Sequence, residues 1–319
     1  MALRRKLILS FVAVFVLLSF SFVVVVEADS VMWSQTYGGT DADYGRSVVE
    51  TSDGGYAIAG CTKSFGDRGG VYWLVKTDEV GNMEWNQTYG GEEDEEAFSL
   101  VETSDGGYAL AGLTNISNVI GYPKGDFLLV KTDGAGNMEW NKTYETPGGG
   151  YAYSVVEASD GGYAIAGEKD RDIWLVKTDA FGNMEWNQTY GKTSWDEAFS
   201  LVETSDGGYA IAGRTYDSGA ETNYVYLIKT DEFGTVEWER TYGGTGTNWG
   251  YSVVETSTGG YAIACTTWSF GAGGADVWLI KTDEYGVVPE YFSWLLTSLL
   301  LTATLVIIIY EKKLSHLSS

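Results

Sequence analysis

The chain has 319 residues with 20 basic and 44 acidic side chains, a net charge of −24, and it holds 42 glycines, 12 tryptophans and 22 tyrosines. Such acidity repels phosphate backbones and excludes nucleic acid as a partner. The single histidine, His316, lies near the C-terminus, and only two cysteines, Cys61 and Cys265, are present. A Ser-His-Asp triad, a His-ligated zinc, an axial haem histidine and an iron–sulfur site are therefore excluded from everything before His316.

The N-terminus opens on Arg4, Arg5 and Lys6, runs apolar from Leu7 to Val26, and breaks at Val26-Glu27-Ala28. A basic start, an apolar core and small residues before a break describe a signal peptide over residues 1–28, cleaved after Ala28. The apolar run is also long enough to stay as an anchor.

From Trp33 onward the chain repeats. Tyr56, Tyr108, Tyr163, Tyr209 and Tyr261 are spaced by 52, 55, 46 and 52 residues, and Trp33, Trp85, Trp140, Trp186 and Trp238 keep the same spacings. A period near 50 demands a repeat architecture. The first full copy reads Ser47–Thr51, a Ser-Asp-Gly-Gly turn, Tyr56–Gly60, a loop, Tyr72–Thr77, an Asp78–Asn82 turn, and Met83–Tyr89. Asp-Gly and Gly-Gly between β-prone runs are hairpin signals, because glycine accepts the positive φ of a tight turn. Tyr-Ala-Ile-Ala and Trp-Leu-Val are apolar on both faces, as sheets covered on both sides require. The expected fold is all-β: a five-bladed β-propeller of four-stranded antiparallel blades over residues 29–290. Trp33–Gly39 is a fourth strand with nothing before it, and the last copy supplies three strands. The N-terminal strand is thus expected to join the last blade and close the ring.

Lys76-Thr77-Asp78-Glu79-Val80-Gly81-Asn82-Met83-Glu84-Trp85 resembles the tryptophan-docking motif of quinoprotein-type (PQQ-like) propellers, with one residue fewer between Asp and Gly. The resemblance covers residues 31–286. It implies a structural role for Trp33, Trp85, Trp140, Trp186 and Trp238, docking on the next blade, and for Asp78, Asp133, Asp179, Asp231 and Asp283. It does not carry over the quinone cofactor, whose binding residues have no match here, and those enzymes typically have eight blades.

Alternating strand direction places the Ser-Asp-Gly-Gly and Asp-x-x-Gly-Asn turns on one side, nearly identical from copy to copy. Asp53, Asp105, Asp160 and Asp206 there read as turn formers. The segments that differ, Thr62–Val71, Thr114–Asp126, Glu168–Asp172, Thr215–Asn223 and Thr266–Asp276, fall on the other side with the inter-blade linkers. Loops on a rigid scaffold are where function usually lies. That face offers Trp195, Trp249, Trp268, Tyr122 and Tyr216 to a carbohydrate or a protein ligand, and burial on the blade tops is the competing role for these rings. Asp41, Asp43, Glu92 and Asp94 are candidate oxygen ligands for Ca²⁺, without EF-hand spacing. No other cofactor is expected. Three functions fit: a non-enzymatic binding module, a glycoside hydrolase or lyase working with two carboxylates, and a structural envelope protein.

Cys61 and Cys265 fall on the first and last blades and leave opposite faces of equivalent strands. They read either as two buried thiols or as a bridge across the closure. Asn86-Gln87-Thr88, Asn115-Ile116-Ser117, Asn141-Lys142-Thr143 and Asn187-Gln188-Thr189 are N-glycosylation sequons, or products of repeat copying.

Phe292–Tyr310 is 19 residues without a charge, about 28 Å as a helix and near the hydrocarbon thickness. Residues 291–310 are expected to span the membrane, and Lys312 and Lys313 favour a cytoplasmic tail over 311–319. Val288-Pro289-Glu290-Tyr291 resembles an archaeal surface-protein sorting signal, which implies enzymatic removal of the helix. The expected location is the cell surface.

Overall fold

The computed structural model describes residues 32–66, 69–91, 94–119, 122–191 and 195–288. The expected signal peptide, membrane helix and tail lie outside the described residues. Residues 32–35 belong to a separate N-terminal unit and run without regular structure.

The second unit, from Thr36, is all-β, with 19 strands in antiparallel sheets. Sheet 1 is β1 (Asp43–Glu50), β2 (Tyr56–Thr62), β3 (Val71–Thr77) and β4 (Met83–Tyr89); sheet 2 is β5 (Glu96–Glu102), β6 (Tyr108–Val119), β7 (Tyr122–Thr132) and β8 (Met138–Tyr144). Sheet 3 is β9 (Gly150–Glu157), β10 (Tyr163–Lys169), β11 (Asp172–Thr178) and β12 (Met184–Tyr190); sheet 4 is β13 (Asp196–Glu203), β14 (Tyr209–Asp217), β15 (Thr222–Thr230) and β16 (Val236–Tyr242). Sheet 5 has three strands, β17 (Asn248–Glu255), β18 (Tyr261–Thr267) and β19 (Asp276–Lys281). Each sheet is an up-and-down meander, and one pairing, Gly125 with Gly150, links sheets 2 and 3.

The sheets pack face to face in chain order. Ala57, Ala59, Tyr72 and Leu74 of sheet 1 meet Leu100, Tyr108, Leu110, Leu128 and Val130 of sheet 2. Equivalent layers join sheets 2 to 3, 3 to 4 and 4 to 5. Alanines on one face of the second strand let the large rings of the neighbour approach, which explains why these strands are apolar on both sides.

A second contact repeats at the outer edge. Trp85, Trp140, Trp186 and Trp238 lie 5.9, 5.7, 6.0 and 5.6 Å from Tyr108, Tyr163, Tyr209 and Tyr261 of the next sheet, edge to face. The same tryptophans cover the turn glycines Gly136, Gly182, Gly234 and Gly286, where a Cβ would stand 2.6 Å from the indole. These glycines hold φ between 72° and 77°. Their carbonyls accept from Tyr89, Tyr144, Tyr190 and Tyr242 at 2.6 to 2.9 Å. Sequence spacing alone places the docking tryptophans; the glycine beneath each one is what the contact demands. The turn aspartates Asp78, Asp133, Asp179, Asp231 and Asp283 hold those turns by accepting backbone N–H groups two and four residues on.

On the other repeated turn, a buried lysine is clamped between two acids. Lys76 binds Asp53 and Glu84, Lys131 binds Asp105 and Glu139, Lys177 binds Asp160 and Glu185, and Lys229 binds Asp206 and Glu237, all at 2.6 to 3.0 Å. Each lysine also donates to the carbonyl of the next threonine. Burial would raise the Asp105 and Asp206 carboxyls, but donors from Lys131 and Thr103, and from Thr204 and Lys229, outweigh it and hold both at about 2. In sheet 5 the clamp is lost: Lys281 is exposed and reaches only the hydroxyls of Thr256 and Thr258.

One expectation is corrected here. Residues 36–39 form no strand and do not pair with β19. Tyr37 nevertheless donates to the Gly81 carbonyl at 2.6 Å, the bond its four counterparts make to the next sheet. Val277 and Leu279 of β19 are 91% and 70% exposed, and Val48 of β1 is 62% exposed, so the faces that sheet-to-sheet packing covers elsewhere are bare at both ends. Of the two readings of Cys61 and Cys265, the structure has the buried thiols: both are free, and burial pushes them up to about 11 and 12.

Gly207 and Gly182 are both held at positive φ, but only at Gly182 does an indole occupy the Cβ position. Gly207→Ala should cost about 1–2 kcal/mol of backbone strain, and Gly182→Ala a further ~1–3 kcal/mol from the clash with Trp140. Urea midpoints of the two variants measure the difference. Acid should expose the lysine clamps. A carboxyl titrating near 2 when folded and near 3.9 unfolded contributes stability above about pH 4 that is lost as the pH falls toward 2. The melting temperature should fall through that window, and Lys131→Met should make the fall shallower.

Candidate functional site

The side opposite the repeated turns carries the loops that differ between sheets. The β10–β11 connection is only two residues, Asp170 and Arg171, both at positive φ of 54° and 77°. The β18–β19 loop is long and brings Trp268 and Phe270.

Between sheets 4 and 5 this side gathers an aromatic and charged cluster. Glu197 on β13 faces Arg214 on β14 across the ladder, and their side chains form an ion pair at 2.5 Å. Trp195, just before β13, donates its Nε1 to Glu197 at 3.1 Å. The Arg214 guanidinium lies 4.7 Å from the Trp249 ring and 5.9 Å from Trp195, while Arg171 lies 5.6 Å from Trp195. Trp249 and Trp268 meet edge to face at 5.7 Å. Trp268 is 45% exposed, so one ring of the cluster opens to solvent. The buried Nε1 of Trp249 makes no hydrogen bond.

Of the expected ligand residues, the structure thus brings Trp195, Trp249 and Trp268 together. Tyr216 stands beside them, half-buried, its backbone N–H donating to the Trp195 carbonyl at 2.9 Å. Tyr122 begins β7 on sheet 2, and its side chain lies outside the described residues.

Arg214, the centre of the cluster, escaped notice in the sequence, as did Glu197. Their signal was in the copies: Arg214 takes the place held by Cys61, Leu113, Glu168 and Thr266, and register pairs it with the position before Ala198. Also unnoticed were Glu168 and Asp196, both fully buried; Glu168 lies opposite Tyr151 on β9 and near Tyr153. Burial, with help from Glu197 and Glu168, pushes both tyrosine hydroxyls up. The first strands bring Phe98, Tyr153, Phe199 and Tyr251 into a row of ring contacts with centroids 5.4 Å apart, tilted, edge to face and stacked in turn, with Arg46 over Phe98.

The expected Ca²⁺ ligands are Asp41, Asp43, Glu92 and Asp94, of which Glu92 lies outside the described residues. Among the described residues no group of three or more His, Cys, Asp or Glu side chains gathers as a metal requires. The Asp43 carboxylate holds its own loop, accepting from Thr62, from Ser64 and from the Gly39 backbone. Burial would raise it, and these donors hold it below the usual range. Asp94 accepts from Gly70 at 2.7 Å, and Asp41 is exposed. Two concavities elsewhere, one lined by Tyr37, Tyr44 and Trp73 and one by Lys131, Trp140 and Tyr163, are built from the repeated structural residues.

No family model and no curated protein matches the chain. Solved structures do. A protein of unknown function from Bacteroides caccae is 13% identical with a TM-score of 0.50, over 76% of this chain and 79% of that one. A mutant of NanB sialidase from Streptococcus pneumoniae is 12% identical with a TM-score of 0.55, over 80% of this chain. The same sialidase with Optactamide gives 0.54 at 12% identity. The match spans 62% of the sialidase chain. At these identities the likeness is one of fold, propeller-like and all-β.

Arg214→Ala would strand the Glu197 charge in a nearly buried position. It should destabilise the domain by about 3 kcal/mol, and Arg214→Ala with Glu197→Leu should recover most of that. Denaturant midpoints of the single and double variants test it.

Proposed function

We propose that this chain is a cell-surface, five-bladed propeller that binds carbohydrate without transforming it, through the face where Trp195 and Trp249 flank Arg214 and Trp268 packs on Trp249. The convergence of Trp195 and Trp249 on one guanidinium, extended by Trp268 packed on Trp249 and open to solvent, carries this reading. Indole faces stack on the C–H faces of sugar rings, and the guanidinium, carboxylate and indole N–H groups serve the hydroxyls.

The finer architecture belongs to the same proposal. Closure of the ring between the last sheet and the first is part of it; the Tyr37–Gly81 bond supports this, since it repeats the bond between successive sheets. The tryptophan on the turn glycine supports kinship with PQQ-like repeats, without their cofactor. Export by residues 1–28 and anchoring by 291–310 place the binding face outside the membrane.

The second reading is a carboxylate-based hydrolase. Its support is the burial of Glu168, Asp196 and Glu197 on one face, since buried acids in a cleft often serve catalysis. Against it, Glu197 is held by the Arg214 guanidinium and the Trp195 indole N–H, so its carboxylate is committed to a structural pairing.

A bound oligosaccharide must raise the melting temperature by mass action. With a panel of oligosaccharides at saturating concentration, at least one should raise it by several degrees. Trp268→Ala should weaken that ligand about tenfold or more with the unliganded melting temperature unchanged. Unaltered sugar after prolonged incubation fits binding, and shortened products establish the hydrolase. No shift with any sugar leaves a protein ligand or an envelope role and rejects the carbohydrate reading.

A further inference from the structure

Asn86, Asn141 and Asn187 occupy one register position on β4, β8 and β12, opposite Val75, Val130 and Val176. All three are exposed, and so are Thr88, Thr143 and Thr189 two residues on. In a strand, residues i and i+2 share a face, so amide and hydroxyl of each sequon are presented to solvent together. These strands pair on one side only and form the outer edges of sheets 1 to 3.

The amide is oriented. Trp73 and Trp174 donate Nε1 to Oδ1 of Asn86 and Asn187 at 3.0 Å. With Oδ1 held by a ring, Nδ2 turns outward, and its contact is a methionine sulfur, Met83 or Met184, at 3.3 Å, a weak acceptor. In sheet 2 the ring is replaced by Leu128, which has no N–H to give. Asn141 and Thr143 are kept there all the same, so the bond to tryptophan does not account for the asparagine in every copy. In sheet 4 the asparagine gives way to Glu239, which accepts from Tyr226, and the sequon goes with it. Asn115 differs, since its Nδ2 donates to the Asp126 carboxylate at 3.1 Å.

We infer that Asn86, Asn141 and Asn187 carry N-linked glycans along the outer edges of sheets 1 to 3. The inference rests on the export reading and is independent of sugar binding at the Arg214 cluster. In the step, Nδ2 attacks the anomeric carbon of a sugar carried on a lipid (pyro)phosphate. The C–N bond forms as the C–O bond to phosphate breaks, the lipid phosphate leaves with the electron pair, and Nδ2 gives up one proton. Oδ1 stays an acceptor, so the tryptophan bonds survive modification. Glycans here would bar edge-to-edge pairing, the hazard of unpaired strands.

The test is mass spectrometry of peptides that a protease releases from intact cells bearing the full chain. The peptides containing Asn86, Asn141 and Asn187 should carry glycan mass on asparagine. Thr88→Val should abolish it at Asn86 alone, with the melting temperature unchanged because the Trp73 bond remains. Bare asparagines on released peptides would overturn the inference, as would modification that survives Thr88→Val. Release of no peptide would overturn the export reading and this inference with it, leaving the sugar-binding test unaffected.

Discussion

The contact on which the structure depends is a tryptophan of one sheet closed over a glycine of the next. Trp85 on Gly136, Trp140 on Gly182, Trp186 on Gly234 and Trp238 on Gly286 leave no room for a Cβ. The adjoining tyrosine hydroxyl binds the same glycine's carbonyl. An aromatic ring against a bare backbone sets one distance and one orientation, so each sheet is placed by its predecessor. The alanine-lined second strands then bring the interior layers into contact.

That constraint divides the molecule into two sides with different duties. On the side of the repeated turns, most acids are committed to structure. Aspartates tie turns, the Lys76, Lys131, Lys177 and Lys229 clamps each engage two carboxylates, and Ser52, Ser104, Ser159 and Ser205 donate to glutamates of the following sheet. Much of the acidity of the chain is thus spoken for. On the other side the connections vary in length and chemistry, because nothing in the sheet-to-sheet contact restricts them. Binding residues can change there without disturbing the stack.

The ends of the stack follow the same logic in reverse. Sheet 5 lacks the fourth strand, the clamp acids and a covered outer face, while Tyr37 already makes the bond expected of a preceding sheet. A repeat whose copies stabilise only through neighbours leaves its first and last copies incomplete unless they find each other.

The sequence by itself determined the repeats, the strand pairs with their Asp-Gly and Gly-Gly turns, the docking tryptophans and the variable side. These are local: turn glycines, two-residue alternation and fixed spacing are written within one copy. It also pointed to Trp195, Trp249 and Trp268 as rings without a repeat role. Only the tertiary structure decided that Trp195 and Trp249 meet at Arg214 and Glu197 with Trp268 packed on Trp249, and that the Asp43 carboxylate ties its own loop. It likewise left Cys61 and Cys265 apart. Arg214 sits on β14 and Trp249 on the next sheet, so their approach depends on how sheets 4 and 5 stack. Periodicity within a copy carries no information about that distance, because it is set by side chains from two copies at once.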